Sequence, residues 1–170
     1  MPEFTVCGRK EIPETIRKFN ANWHLSTIEP GAHIMTHPKC RDRHLTVFFG
    51  DFDDQNDPRS PTEQHIKHIL DWGKALPNDA RVLCNCEAGV CRSTAVMFAL
   101  WVQANPDKTL REGADNLVKI RPHAMPNSLI AKHADKLLNL NGEFIKECEK
   151  IALDRWGVWE IELGMGLALK

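Results

Sequence analysis

The chain has 170 residues, 42% of them hydrophobic and 26% charged, with a formal net charge of -1. These values are typical of a soluble folded domain and exclude a disordered or fibrous chain. No long basic run suggests a nucleic-acid partner, and no stretch reaches the roughly 20 apolar residues that cross a bilayer. The first ten residues lack the apolar core of a signal peptide. We therefore expect a cytoplasmic protein whose six cysteines are not disulfide-bonded.

The first half of the chain predicts three strands, two helices and a polar loop. Runs of β-formers bounded by turn residues indicate strands, and apolar residues at helical spacing behind the N-cap Thr62 indicate a helix. In chain order the elements are a strand over 4–7, a helix over 11–20, strands over 23–28 and 44–49, an Asp-rich loop over 50–61 and a helix from 62 to about 76.

The second half predicts one more strand followed by helices. A short apolar run at 81–84 indicates the strand, and the segment 93–104 is apolar almost all round, which indicates a buried helix. Further helices are expected over 109–120 and 127–140. This alternation predicts an α/β fold with a central mixed, largely parallel sheet flanked by helices.

The segment between the last strand and the buried helix has the features of an anion site. Cys86 closely follows the predicted strand, a tight loop containing Gly89 comes next, and Arg92 opens the helix. Free amides and the dipole at a helix N-terminus bind anions, and an arginine can hold two phosphate oxygens with its planar side chain. The same positive field favours the thiolate of Cys86, which is the nucleophilic form.

The spacing from Cys86 through five residues to Arg92 and Ser93, with Gly89 between, resembles the signature of the cysteine-based protein tyrosine phosphatases. The order of elements resembles the dual-specificity branch, and most closely its compact bacterial and phage proteins. The segment 44–51 is similar to that family's strand leading to the general-acid loop. The segment from Arg121-Pro122 to Pro126-Asn127 is similar to the one that braces its phosphate loop. The resemblance spans roughly residues 4–148.

This resemblance implies an α/β domain over residues 1–150 that hydrolyses phosphomonoesters through a phosphocysteine, without a metal or cofactor. The residues over 151–170 indicate an apolar extension that is expected to pack on the same domain, with a partner-binding tail as the alternative. The expected partner is a phosphorylated protein or a small phosphomonoester substrate. The sequence does not indicate an oligomeric state.

The resemblance also implies a role for each matching residue. Cys86 attacks phosphorus, Arg92 holds the phosphoryl oxygens, and Ser93 donates a hydrogen bond to the sulfur. Asp51, the first acid after the strand, is the expected general acid, with Asp53 and Asp54 as alternatives. Asn85 and Asn127 are expected to support the site. The phosphate-binding residues are Glu87, Ala88, Gly89, Val90, Cys91 and Arg92.

Two departures from the family pattern bear on substrate and reactivity. Asn85 stands where the family usually has a histidine, and an amide cannot carry a charge beside the nucleophile. Glu87 places a negative side chain at the mouth of the loop, and no lysine lies between Cys86 and Arg92. The acidic Glu87 and the absence of a lysine argue against a polyanionic lipid or a nucleic-acid end as the substrate.

Cysteines beside Cys86 raise two alternatives to a plain nucleophile. Cys84 or Cys91 could form a disulfide with an oxidised Cys86, although a buried apolar role suits Cys84 better. A zinc site combining these cysteines with His33 or His37 is disfavoured, because the spacing lacks paired ligands and Arg92 would repel a cation.

Three functions stay open at this stage. The first is an active tyrosine or dual-specificity phosphatase. The second is a catalytically weak relative that binds phosphorylated partners, for which Asn85 is the only motive. The third is other chemistry on the same motif, such as sulfur transfer or arsenate reduction; the expected acid loop and the 85 residues before Cys86 favour the phosphatase.

Overall fold

The structure of the protein is a computed structural model that describes residues 1–162, with side chains as far as residue 154. Its four strands form one sheet in the order β1-β4-β2-β3, and every pair of neighbours is parallel. The predicted α/β fold is confirmed, and the sheet expected to be largely parallel is parallel throughout the described residues. The strands are β1 (Glu3–Gly8), β2 (Trp23–Ile28), β3 (His44–Phe48) and β4 (Arg81–Cys86).

Six α-helices accompany the sheet in the described part of the chain. Thr62 caps the second helix by accepting a hydrogen bond from the amide of His65 at 3.3 Å, as its sequence predicts. The last helix was not among the predicted elements, although its buried Phe144, Cys148 and Ile151 follow helical spacing. The helices are α1 (Ile12–Phe19), α2 (Glu63–Lys74), α3 (Arg92–Ala104), α4 (Leu110–Ile120), α5 (Ser128–Leu138) and α6 (Glu143–Glu162).

Apolar side chains cover both faces of the sheet, which is why its strands read as nearly continuous apolar runs. Along β4, Leu83 faces a small cluster with α1, while Val82 and Cys84 face the main core. Helix α3 packs on β1 and β4 and is covered by α2, α4 and α5. This position explains the nearly uniform apolar sequence of α3.

The sheet topology brings four connecting segments to one edge. Because all strands are parallel, the loops after β1, β2, β3 and β4 leave from the same edge of the sheet, where α/β proteins bind ligands. The predicted phosphate loop and the predicted acid loop are two of these segments. The fold therefore brings together residues that lie about 40 positions apart in sequence.

The extension over 151–170 is only partly described. Ile151 is buried in the main core, and α6 continues to Glu162. The side chains from residue 155 onward lie outside the described residues, so the packing expected for this segment stays a prediction. Within residues 1–162, none of the helices has both the length and the apolar character needed to cross a bilayer.

Candidate active site

The loop after Cys86 takes a tight path that only glycine permits at its centre. Gly89 has a φ of +71°, which side chains rarely adopt. A Cβ added to Gly89 would lie 2.3 Å from the amide nitrogen of Gly8 and 2.4 Å from the carbonyl carbon of Cys7. The end of β1 therefore presses directly against the loop, and the predicted need for glycine has a second, steric cause.

Donors from neighbouring segments bind the backbone carbonyls of the loop on its outer side. In a planar peptide unit, the C=O of one residue and the N–H of the next point in opposite directions. A carbonyl bound on the outer side of the loop therefore turns the N–H of the next residue toward the inside of the loop. The donors to the carbonyls of Glu87, Ala88, Gly89, Val90 and Cys91 are, in order, Arg9 N at 2.9 Å, Arg121 Nη2 at 2.9 Å, Arg121 Nε at 3.0 Å, Met125 N at 3.0 Å and Asn127 N at 3.3 Å.

Cys86 lies at the bottom of this loop with only 1% of its surface exposed. Its Sγ accepts a hydrogen bond from the amide of Gly89 at 3.2 Å and lies 3.1 Å from Ser93 Oγ. The N-terminus of α3 begins six residues later, at Arg92. Hydrogen bonds to sulfur and a facing helix N-terminus both stabilise a thiolate. The structure thus brings Cys86 and Ser93 together as the sequence predicts.

Arg92 is buried beside the loop that follows Cys86, with its side chain 5% exposed. Its Nη1 donates to the carbonyl of Phe49 at 2.9 Å and lies 3.4 Å from a carboxylate oxygen of Glu29. Its Nε is 3.8 Å from Asp51 Oδ2 and has no hydrogen-bond partner among the described residues. A buried guanidinium with an unused donor is suited to binding an oxyanion.

Of the three aspartates considered as the general acid, Asp51 is the one that the structure places within 4 Å of Arg92, in addition to Glu29. Its Oδ1 accepts a hydrogen bond from Asn127 Nδ2 at 3.0 Å, and one third of its side chain is exposed. Asp54 instead turns to its own loop, where it accepts from the backbone amide of Asn56 at 2.9 Å. Asp53 lines the same shallow depression as Asp51. The expectation that Asp51 is the general acid is therefore kept as a proposal.

Asn127 connects three parts of the site. Its Oδ1 caps α5 by accepting from the amides of Leu129 and Ile130 at 3.1 and 3.0 Å. Its Nδ2 donates to Asp51 and to the carbonyl of Phe52, and its backbone amide donates to the phosphate loop. The sequence predicts the support of the loop, whereas the contact with the acid loop appears only in the structure.

Arg121 holds two loop carbonyls at once and is absent from the predicted site residues. It also forms an ion pair with Glu11 at 3.0 Å, and Glu11 in turn accepts from the amide of Gly8. The pKa of Glu11 is lowered, first by its bond to Arg121. The Arg121-Pro122 pair was the available sequence signal, whereas nothing in the sequence indicated the role of Glu11 or Glu29.

The thiols of Cys84 and Cys91, on either side of Cys86, both have raised pKa values. Burial, followed by the nearby Asp51 carboxylate, raises the pKa of Cys91 to about 12. Burial also raises the pKa of Cys84. A thiol attacks oxidised sulfur less readily than a thiolate, so the protective disulfide with Cys86 stays an untested prediction. Among residues whose side chains are described, no group of three or more His, Cys, Asp or Glu could hold a metal.

Comparison with solved structures identifies the fold. No protein-family model and no curated protein matches the sequence. Human DUSP28 superposes with a TM-score of 0.61 at 17% identity, over 82% of this chain and 96% of its own. DUSP15 gives 0.59 at 15% identity, covering 88% and 92%. The Yvh1 phosphatase domain from Chaetomium thermophilum gives 0.57 at 17%, covering 83% and 93%. The chain therefore has the fold of the cysteine-based protein tyrosine phosphatases, in the form found in dual-specificity phosphatases.

Proposed function

We propose that the protein hydrolyses phosphomonoesters through a phosphocysteine intermediate, acting on protein phosphotyrosine with phosphoserine and phosphothreonine as further substrates. The observation that carries this proposal is the position of Cys86 Sγ, 3.2 Å from the Gly89 amide and 3.1 Å from Ser93 Oγ, at the bottom of a loop whose carbonyls are bound from outside. The fold shared with dual-specificity phosphatases supports it.

The reaction has two displacement steps. In the first, the Cys86 thiolate forms a bond to phosphorus, the ester P–O bond breaks, and Asp51 gives its proton to the leaving oxygen. In the second, Asp51 takes a proton from water, the water oxygen attacks phosphorus, and the P–S bond breaks to release inorganic phosphate. Arg92 and the loop amides stabilise the phosphoryl oxygens in both steps, while Ser93 donates a hydrogen bond to the departing thiolate.

The rim of the site favours a substrate with a single phosphate. Glu87 is exposed at the loop and pairs with Arg9 at 3.3 Å, so this arginine is already partly neutralised. Glu29 adds a second carboxylate near Arg92. These two acidic side chains disfavour polyanionic substrates by like-charge repulsion, which agrees with a monoester on a protein or small molecule.

The proposal is tested with p-nitrophenyl phosphate and phenyl phosphate between pH 5 and 8, in reductant and without metal. We expect the wild type to hydrolyse both and Cys86→Ser to hydrolyse neither. Asp51→Asn should lose about 100-fold on phenyl phosphate, whose leaving group needs a proton, and much less on p-nitrophenyl phosphate.

Asp53→Asn is the matched control, because it removes the same charge two residues away. If Asp53→Asn shows the larger loss on phenyl phosphate, the general acid is Asp53. Activity remaining in Cys86→Ser would contradict the proposed nucleophile. A wild type that is inert yet binds vanadate would instead support the second candidate, a phosphate-binding relative.

A further inference from the structure

Behind the phosphate loop lies a buried polar network that the proposed reaction does not use. It joins Asn85 on β4 to His24 and Ser26 on β2 and to His44 on β3. The Oδ1 of Asn85 lies 2.8 Å from His24 Nε2 and 2.7 Å from Ser26 Oγ, and Ser26 Oγ lies 2.8 Å from His44 Nε2. His24, Ser26 and Asn85 are each at most 2% exposed. Three buried polar side chains inside a sheet need a physical reason, because their burial is costly.

The direction of each hydrogen bond follows from Asn85. Its Nδ2 donates to the carbonyl of Cys86 at 3.2 Å, so its Oδ1 faces the other two side chains and can only accept. His24 must therefore carry its hydrogen on Nε2, and its Nδ1 is bare. This agrees with the surroundings of His24 Nδ1, which has no hydrogen-bond partner among the described residues.

A neutral His24 agrees with this arrangement, because a proton on Nδ1 would have no acceptor among the described residues. Burial, and then the neighbouring His44, lowers the pKa of His24 to about 3. The two imidazole rings stack with centroids 4.0 Å apart, and burial lowers the pKa of His44 as well. The network is thus a set of uncharged donors and acceptors with a fixed orientation.

The carbonyl of Cys86 determines the direction of one amide in the phosphate loop. The C=O of Cys86 and the N–H of Glu87 belong to the same planar peptide unit. Neighbouring segments bind the carbonyls from Glu87 to Cys91, but the carbonyl of Cys86 receives its hydrogen bond from the side chain of Asn85. Fixing the carboxamide of Asn85 therefore fixes the first amide that faces the phosphoryl group.

We propose that His24 is a positioning residue for this site: with Ser26, it holds the Asn85 carboxamide in the orientation that aims the Glu87 amide at the phosphoryl oxygens. The inference deepens the proposed function and rests on it. His24 acts from a neighbouring strand and does not touch the substrate. An imidazole that only filled space could be replaced by any side chain of similar size and polarity.

Two amide substitutions separate positioning from space-filling. The amide nitrogen of glutamine lies about as far from the backbone as the Nε2 of histidine, whereas that of asparagine lies only as far as Nδ1. We compare His24→Gln, His24→Asn and wild type by kcat/KM for p-nitrophenyl phosphate and by the dissociation constant for inorganic phosphate. His68→Gln, on the exposed face of α2, is the control.

We expect His24→Asn to have a kcat/KM about ten-fold lower and a phosphate dissociation constant about ten-fold higher than wild type, the effect of one missing buried hydrogen bond. Both values of His24→Gln should stay within about three-fold of wild type. Ser26→Ala removes the second donor to Asn85 and should resemble His24→Asn, so it serves if that variant does not fold. Wild-type values in His24→Asn, or equal losses in His24→Gln and His24→Asn, would overturn the inference.

The two readouts distinguish failure of this inference from failure of the proposed function. If the wild type does not turn over substrate but binds inorganic phosphate, the proposed function fails, and the ranking of phosphate dissociation constants still decides the role of His24. If the wild type neither turns over substrate nor binds phosphate, both proposals are wrong.

Discussion

At the scale of single residues, the geometry of the site depends on a few positions where a single atom is decisive. Gly89 cannot carry a side chain because the end of β1 occupies that space. His24 must present its Nε2 to Asn85, and Arg92 Nε has no hydrogen-bond partner among the described residues. Gly89 adopts a positive φ, and His24 and Arg92 each leave one buried nitrogen without a hydrogen bond among the described residues. Such strained or unsatisfied positions are common where a protein binds ligands.

Gly89→Ala should destabilise the protein and abolish turnover of p-nitrophenyl phosphate. The new Cβ would clash with backbone atoms of β1, and the alanine would have to adopt a positive φ. Together these effects should cost about 2 kcal/mol or more. Gly31→Ala is the control, because Gly31 also has a positive φ, of +83°, but open space around it. Urea unfolding measures both variants, and an equal loss in the two would contradict the predicted clash.

The buried His24 predicts a loss of stability in mild acid. Its folded pKa is about 3, below the ordinary value of 6.5, so the unfolded chain binds a proton that the folded chain does not. The contribution of the neutral His24 to the free energy of unfolding is fully present above pH 6.5 and is lost as the pH drops toward 3. Between pH 7 and 5 this histidine should cost about 2 kcal/mol.

The measurement is the free energy of unfolding in urea at both pH values, for wild type and His24→Gln. The variant should lose about 2 kcal/mol less than wild type over this interval, because glutamine does not titrate. An unchanged pH dependence in His24→Gln would show that other groups cause the acid sensitivity.

At the scale of secondary-structure elements, the sequence predicts best where periodicity is strong. The strand predicted over 23–28 has the observed bounds, and the predicted N-cap Thr62 does begin α2. The last strand runs to Cys86, two residues beyond its predicted end, because its polar Asn85 lies inside the sheet. Propensity could not predict that burial, since it depends on contacts with another strand.

The supporting contacts of the site were beyond local sequence patterns. The tight loop between Cys86 and Arg92 could be predicted because its parts lie within ten residues of one another. His24 and Asn85 are separated by 61 positions, and Arg121 and Ala88 by 33. These pairs meet only after β2 takes its place beside β4 and the chain following α4 returns to the loop, which a single sequence does not report.

Helix α4 packs tightly on α3 through a glycine. A Cβ at Gly113 would lie 2.6 Å from the ring of Trp101 and 2.7 Å from that of Phe98. Gly113→Ala should therefore lower stability by about 1–3 kcal/mol, although alanine is the better helix former by about 1 kcal/mol. The measurement is the free energy of unfolding in urea, with Lys119→Ala at an exposed position of α4 as the control. If Gly113→Ala were more stable than wild type, the predicted clash with Trp101 and Phe98 would be wrong.

At the scale of the whole molecule, the parallel sheet unites the functional segments. All four strands end at one edge, so the loop after β4, Asp51 after β3 and Glu29 after β2 meet around the side chain of Arg92. Helix α3, buried against the sheet, holds the loop from below. The domain thus brings a thiol, an arginine and a carboxylic acid close together, although they come from separate parts of the chain.

Detection of a phosphorylated cysteine tests the central claim most directly. Wild type and Asp51→Asn would be denatured rapidly during turnover of p-nitrophenyl phosphate and their peptides analysed by mass spectrometry, with Cys86→Ser as the blank. We predict one phosphoryl group on the peptide containing Cys86, more abundant in Asp51→Asn because hydrolysis of the intermediate slows. Turnover with no phosphoryl group on Cys86, or with one on a different residue, would contradict the account.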